Sequence, residues 1–545
     1  MLDVRSGTRL PRWLLLVAFA LSGAAALTYE VVWTRSLSVV LGSTTYALST
    51  MLATFMLGLA IGGIAGGRVA DRRGGSLLPL GLAELGIGLL GVASHLVIEA
   101  LPSVYFAAYR AFHLSAPAYF ATQVGLCAVV MLGPTVLMGM TFPLVVRAAI
   151  RGVEEIGRGV GLAYGVNTIG AVAGSLLAGF VLIPALGLRG ATFAAAGANA
   201  VAAAIVLVPQ RRGRAALLLL LLFAPVVAWT LRVERGWKVL NFYNASKYRE
   251  GRPYAQLYRE LRSDLTMLSE RDGAGGYVAA FRDKGGSLLL QVGGKIEGTG
   301  YLDRANAELL AYLPLAAHSD ARRMLVIGLG AGVTLDVARR FVPDVELAEI
   351  NLDVLEAVRR YGPPGLLDGR RVHLADARNL LQRSSERWDV ISSEPSYPTD
   401  FAVANLFSRE FYQLAAARLA DGGVYCQWLP YYILTNDDVT MMVKTFASVF
   451  RHATLWKVEG SMDLLLVGST TPAARSPVEV KARVARMSDG VWLDYVLSRD
   501  EAQVAAIAGL PDVPVNTDDR PRLEYAVARN LRVGNMAALE HGLVR

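Results

Sequence analysis

The chain has 545 residues and a formal net charge of +8, yet 53% of it is hydrophobic, only 18% is charged, and its mean hydropathy is +0.39. Soluble domains carry about 25% charged residues to keep their surfaces wet, so this balance argues against a purely soluble enzyme. Residues 1–231 hold 15 Arg, no Lys and 7 acids, whereas the remainder has 39 basic and 39 acidic residues, so the whole excess belongs to the first part. Arg clustered between apolar stretches indicates membrane topology rather than a nucleic-acid surface. Two cysteines, Cys127 and Cys426, are too few for a disulfide framework or a Cys/His zinc site. Neither a metal nor a nucleic acid is expected.

Seven apolar stretches, near 12–33, 45–66, 78–100, 118–146, 159–186, 190–209 and 215–231, reach or approach the roughly 20 residues that cross a bilayer core. The first runs on into Tyr29, Glu30 and Trp33 and is expected to be retained rather than cleaved. Arg5, Arg9, Arg12, Arg68, Arg72, Arg73, Arg147, Arg151, Arg158, Arg211, Arg212 and Arg214 fall in alternate loops, against Arg35, Arg110 and Arg189 in the others. That bias places the N-terminus in the cytoplasm. Gly58, Gly62 and Gly66, Gly161 and Gly165, and Gly170 and Gly174 are spaced four apart, which suits close helix packing. Glu30 and Arg35 are expected to pair at an interface, and Glu84, within the third stretch, is a candidate proton or cation site. The segment from Gly66 through Arg68, Asp71, Arg72 and Arg73 to Gly74 resembles the short cytoplasmic loop between the second and third helices of major facilitator transporters.

After Leu231 Lys appears for the first time, at Lys238, and charge becomes frequent, marking a boundary. Gly276–Phe281 and Ser287–Val292 read as strands of a small β-subdomain ending in Gly293-Gly294, and Asp303–Leu315 reads as a helix. Met324–Ile327 is a buried strand that runs into Gly328-Leu329-Gly330-Ala331-Gly332, then a helix over Val333–Phe341, then a strand, Val345–Ile350, carrying Glu349. Strand, glycine loop, helix, strand and acid in that order form a nucleoside-binding βαβ unit, in which glycines admit the ligand and the acid accepts ribose hydroxyls. Asp376, with Ala377, follows the next strand, where an acid can receive an adenine amino group. The loop lacks the dinucleotide G-x-G-x-x-G spacing and points to an adenosyl-sulfonium ligand rather than to NAD. Trp388–Ser393 is the fourth strand and delivers Glu394-Pro395-Ser396-Tyr397-Pro398 to the reactive edge of the sheet. Ala404–Tyr412 starts a helix and Asp421–Trp428 is the fifth strand.

Residues from about 270 to 470, with Asn405-Leu406-Phe407 after the fourth strand, resemble the spermidine synthase family of aminopropyltransferases. Together with the apolar half, Gln427-Trp428-Leu429-Pro430 and Asn516-Thr517-Asp518-Asp519-Arg520-Pro521, the chain resembles the membrane-fused members of that family in bacteria. The resemblance implies an all-α bundle of about seven helices, then a class I methyltransferase-like Rossmann domain with a small N-terminal β-subdomain. It implies decarboxylated S-adenosylmethionine, or S-adenosylmethionine, as cosubstrate, and a carboxylate that deprotonates the attacking amine. Glu394 matches that carboxylate but is one methylene longer than the family's aspartate. Gly328, Gly330, Gly332, Glu349, Asp376 and Ala377 would hold the nucleoside. The family's Tyr-His before the Leu-Pro of the gate helix is Asn306-Ala307 here, its second acid is absent, with Pro395-Ser396-Tyr397 in that place, and Gly276 stands where a substrate-binding Gln is common. Putrescine is therefore doubtful as acceptor, and Asp303, Glu308, Tyr397 and Asp400 are the candidates to bind an amine in its place. His318 and His373 are read as structural.

These readings lead to a membrane-anchored transferase at the inner membrane, divided into residues 1–231, 232–317 and 318–545, with an amine acceptor and the lipid bilayer as partners. The resemblance leaves room for a homodimer through the soluble domain. Methyl transfer on the same cosubstrate, or a polyamine or cation transporter with a nucleoside-sensing domain, are the alternatives. An intracellular cosubstrate calls for a cytoplasmic soluble domain, which is the placement favoured here, whereas seven spans from a cytoplasmic start put that domain on the other side.

Overall fold

The computed structural model describes residues 10–112, 116–150, 154, 156–210, 228, 254–273, 275–299, 304–400, 402–430, 434–458, 463–472, 474–488 and 495–526. The expected seventh stretch, 215–231, and the candidate Asp303 lie outside the described residues. Among the described residues, five helices are long and apolar enough to cross a membrane. They comprise α1 (Arg12–Leu41), α2 (Thr45–Arg73), α3 (Leu78–Phe112), α4 (Ala116–Ala149) and a fifth run that divides into α5 (Ile156–Leu177) and α6 (Ile183–Leu207). The division falls at Gly187, whose φ of 70° and ψ of 174° reverse the chain in a conformation that a side chain would strain. The expected stretches 159–186 and 190–209 are thus two passes joined by one glycine.

Side-chain packing fixes the direction of each helix. Ala20 and Ala24 of α1 meet Gly170 and Gly174 of α5, so these two run parallel. Leu15 and Phe19 cluster with Ala202 and Val206, and Val32 with Leu188 and Ala191, so α6 runs back along α1. Glu84 accepts a hydrogen bond from Asn199 at 2.7 Å and His95 lies 2.8 Å from Thr192, which sets α3 antiparallel to α6. Gly58, Gly62 and Gly66 lie against Thr135, Val136 and Met140 of α4, where a Cβ would collide with backbone or side-chain atoms. Gly161 and Gly165 differ, since nothing packs on them. Glu84 is therefore a bridge between helices, and most of the spaced glycines serve packing. Apolar side chains such as Met56, Ile64, Val129, Ile169 and Phe180 face outward, a surface suited to lipid rather than water.

Because the passes alternate, Arg12, Arg68, Arg72, Arg73, Arg147 and Arg158 gather at one end of the bundle, while Arg35, Gly42, Thr45 and Gly187 lie at the other. The α/β half sits on this second end. Arg35 donates to the carbonyl of Gly273 at 2.7 Å, the Leu188 amide donates to Asp272 at 3.3 Å, and Tyr46 meets Tyr525 edge-on. Arg35 thus reaches the soluble half. The two placements read from the sequence, Arg-rich loops in the cytoplasm and the soluble domain beside them, are incompatible here because they occupy opposite ends of one bundle.

The small sheet is an antiparallel meander of β1 (Leu265–Gly273), β2 (Gly276–Asp283), β3 (Leu288–Val292) and β4 (Lys295–Thr299). Strand alternation gives it two buried faces. Tyr277, Ala279, Phe281 and Leu289 join the core of the bundle, whereas Val278, Ala280, Leu288 and Leu290 join the core of the larger domain. The larger sheet comprises β5 (Arg323–Ile327), β6 (Asp344–Glu349), β7 (Val372–Leu374), β8 (Trp388–Ser393), β9 (Leu419–Pro430), β10 (His452–Val458), β11 (Asp463–Ser469) and β12 (Tyr495–Arg499). Its order is β12-β10-β11-β9-β8-β5-β6-β7, with β9 to β7 parallel and β11 antiparallel to both neighbours. This is the expected doubly wound sheet, with β5 at the point where strand order reverses. The gate helix, Arg304–Ala317, is buried along nearly its whole length. The expected helix start at Ala404 is a 3₁₀ turn instead, because Ser408 caps the helix proper by accepting from the Phe411 amide at 3.2 Å.

Candidate active site

Ligands of open α/β sheets bind beyond the carboxyl ends of the strands at the switch point. A cavity of about 360 Å³ lies there, lined by Gly328, Leu329, Gly330, Glu349, Asn351, Asp376, Ala377 and Glu394. Its roof comes from the small sheet through Lys295 and Glu297, and its far wall from the bundle through Arg35, Ser38, Val39, Ser43 and Leu188. One cavity therefore spans three structural units.

The glycine loop is shaped by close approach. Gly328 has φ of 87°, and a Cβ there would strike the backbone carbonyl of Glu394. Gly330 is also left-handed, and a Cβ on it would lie 3.1 Å from the carbonyl of Glu297. A side chain at Gly328 would meet a steric cost of about 1–2 kcal/mol from its φ alone, before any collision. Gly328→Ala is expected to weaken nucleoside binding about tenfold, as read by titration calorimetry with methylthioadenosine. Unaltered affinity would remove the loop from the binding surface.

Glu349 ends β6 and is buried. Its Oε2 accepts from the Leu329 amide at 3.0 Å and its Oε1 from the Asn351 amide at 2.8 Å. Burial raises its pKa and these amides oppose the rise. A carboxylate offers about four lone-pair sites, so these backbone amides leave it capacity to accept a further hydrogen bond from the cavity. Asp376 caps the helix Ala377–Arg383 by accepting from the Asn379 amide at 3.1 Å, which holds its carboxyl at the rim of the cavity. Glu394 follows β8 directly, with its amide bonded to the carbonyl of Ile327 at 2.9 Å. Thr334 Oγ1 lies 3.3 Å from Glu394 Oε2 and 2.8 Å from the Ala307 carbonyl, so its single proton is shared between them. A carboxylate in that position, beside the glycine loop, can take a proton from a nucleophile bound in the cavity.

The four residues expected to bind the acceptor do not come together. Glu308 is buried but turned away, bonded to Arg304 at 2.8 Å beside Arg282, Asp336 and Arg340 in a separate depression. Asp303 lies outside the described residues. Asp400 lines the cavity and Tyr397 does not, and both engage Lys295: the Lys295 ammonium bonds Asp400 and lies 4.7 Å from the centre of the Tyr397 ring, which stacks on Trp428. Ser396 Oγ accepts from Lys295 at 2.9 Å and donates to Glu297 at 2.5 Å. Burial pushes the pKa of Glu297 up to about 6 against the pull of Lys295. Lys295 carries no signal in the sequence, because a Lys after a Gly-Gly turn reads as an exposed hairpin residue. The bundle residues carry none either, because no local pattern reports a contact 238 residues away, such as Arg35 with Gly273. His318 accepts from the Asp320 amide and His373 pairs with Glu346, both away from the cavity as expected.

The fold and cavity together define an α/β domain with one pocket at the carboxyl ends of its parallel strands. More specifically, this part of the chain is a transferase domain of the spermidine synthase type. Residues 304–458 match the family model described as the spermine/spermidine synthase domain. The chain is 29% identical over 200 residues to the polyamine aminopropyltransferase of Pectobacterium atrosepticum, covering 34% of this chain and 69% of that protein. It is 33% identical over 152 residues to the spermidine synthase of Dictyostelium discoideum, covering 27% of this chain and 53% of that one. Among solved structures, a spermidine synthase in complex with the transition-state analogue AdoDATO aligns over 45% of this chain and 86% of that one, at 21% identity and a TM-score of 0.37.

Proposed function

We propose that the chain is a membrane-anchored aminopropyltransferase. It moves the aminopropyl group of decarboxylated S-adenosylmethionine to an amine acceptor and releases methylthioadenosine. The observation that carries this reading is Glu394 lining one cavity with the glycine loop, Glu349 and Asp376. Glu349 would hold the ribose and Asp376 the adenine, with Gly328, Gly330 and Ala377 forming the surface beneath; Gly332, the other glycine expected there, instead starts the following helix against Val358 and Leu366 and does not line the cavity. An alkylamine is protonated near neutral pH, with a pKa of about 10.4, and is no nucleophile in that state. Glu394 first takes that proton; the freed nitrogen lone pair then attacks the carbon next to the sulfonium, the new C–N bond forms, the C–S bond breaks with its electron pair returning to sulfur, and the positive charge passes to the product's ammonium. The proposed division is the bundle within 1–231, the small sheet and gate helix within 232–317, and the Rossmann domain within 318–545. The test is incubation of membranes carrying the protein with each cosubstrate and an amine, followed by chromatography of the nucleoside product. Methylthioadenosine from the decarboxylated cosubstrate is expected; adenosylhomocysteine from S-adenosylmethionine would show methyl transfer instead.

The bundle is read as embedded in the bilayer, with its Arg-rich end cytoplasmic by the charge bias of the loops. Two features then support a reactive cavity on the opposite face, contrary to the cytoplasmic placement favoured from cosubstrate supply. The α/β half packs on the end that bears Arg35 and Gly187. Furthermore, the sixth pass ends at Leu207 on the Arg-rich end, whereas Leu265 packs against the core of the bundle at the other.

A further inference from the structure

We infer that Lys295 is a built-in occupant of the subsite that would otherwise receive the remote ammonium of a diamine, so that the acceptor is an amine without a second cation at that distance. The inference rests on the aminopropyl-transfer reading for what the subsite would receive. Its physical basis is separate.

Lys295 opens β4 immediately after the Gly293-Gly294 turn, and its side chain is 5% exposed. An ammonium is rarely buried unless it is paired and hydrogen-bonded, because desolvation costs several kcal/mol. Here the pairing is thorough. Asp400, itself 6% exposed, takes one bond, Ser396 takes a second, Glu297 Oε1 lies at 3.7 Å, and the Tyr397 ring covers a further side. Two carboxylates, a hydroxyl and an aromatic face make up a recognition set for an alkylammonium. Lys295, Glu297, Ser396 and Asp400 also line the cavity that holds Glu394 and Glu349. The set is therefore within the cavity, and the carboxylate nearest the lysine, Asp400, is already neutralised by the chain's own cation, while the Glu297 carboxylate is tied up by the Ser396 hydroxyl. A second ammonium would face like-charge repulsion from Lys295 in a partly desolvated site. The same reasoning explains why Asp400 lines the cavity with its charge already taken by Lys295.

The test uses the full-length protein in detergent, with 1,4-diaminobutane and butylamine as probes and methylthioadenosine binding as an internal control. The wild type should respond to the diamine no better than to the monoamine, in thermal protection and in competition for turnover. Lys295→Ala should bind the diamine more tightly than butylamine by about tenfold or more, the scale of one hydrogen bond to a charged group. The diamine should also restore thermal stability lost on removing the lysine. Lys295→Arg, which keeps the cation, should stay unresponsive. A wild type that prefers the diamine by such a factor overturns the inference whether or not the variants fold, as does Lys295→Ala that binds methylthioadenosine but shows no diamine preference. Failure of the wild type to bind methylthioadenosine would strike the transferase reading instead, leaving the diamine and monoamine comparison readable.

Discussion

Replacing Glu394 with Gln is expected to reduce methylthioadenosine release by about 10²–10⁴-fold, the usual contribution of a positioned general base, with nucleoside affinity nearly unchanged. The substitution preserves shape, and the amide oxygen can still accept from Thr334. It removes only the capacity to take a proton from the attacking amine. The backbone of this residue should hold, because its position depends on the amide bond to Ile327 and on the carbonyl packed over Gly328 rather than on the carboxylate. Single-turnover formation of methylthioadenosine, with separate calorimetry on the nucleoside, distinguishes a lost base from lost binding. A further check is pH: raising it supplies more free amine and should narrow the gap between variant and wild type. Equal turnover at neutral pH would take the base role from Glu394.

The second large effect concerns sidedness and is close to all-or-none. Cys127 and Cys426 are both buried, and burial raises the Cys426 thiol pKa, so neither should compete for a polar maleimide. Val478→Cys, at a position 78% exposed on the α/β half, should be labelled by a membrane-impermeant maleimide in right-side-out preparations. Asp71→Cys, exposed at the Arg-rich end of α2, should be labelled only in inverted vesicles. The opposite pattern would mean that the loop Arg residues do not set orientation in this chain. The expected pattern would require donor and acceptor to reach the cavity from the non-cytoplasmic side, since its far wall is the bundle end itself.

Several features were legible without coordinates because their causes are local. The run Met324–Ile327, the positive-φ glycines and the acid of β6 lie within some 25 residues of one another, and the order of strand, turn and helix leaves little freedom in how they fold. Glu394 was found for the same reason, as the first residue past a buried strand. The acceptor candidates were less secure. Glu308 points to Arg304 because a residue's face on the gate helix depends on what packs against it, and Asp400 meets Lys295 across 105 positions of sequence.

The basic charge with which the chain is most easily described has the same division of origin. Counting Arg along the sequence determined that the excess lies wholly in the apolar half and marks alternate loops, because hydrophobic length and charge bias are properties of short segments. Only the tertiary structure decided that the α/β half caps the end opposite those loops, that the bundle walls the cavity beside Glu394, and that Lys295 is buried between Asp400 and Glu297. Each of these depends on atoms brought together across long stretches of chain, where burial and charge pairing act only once the three units have packed.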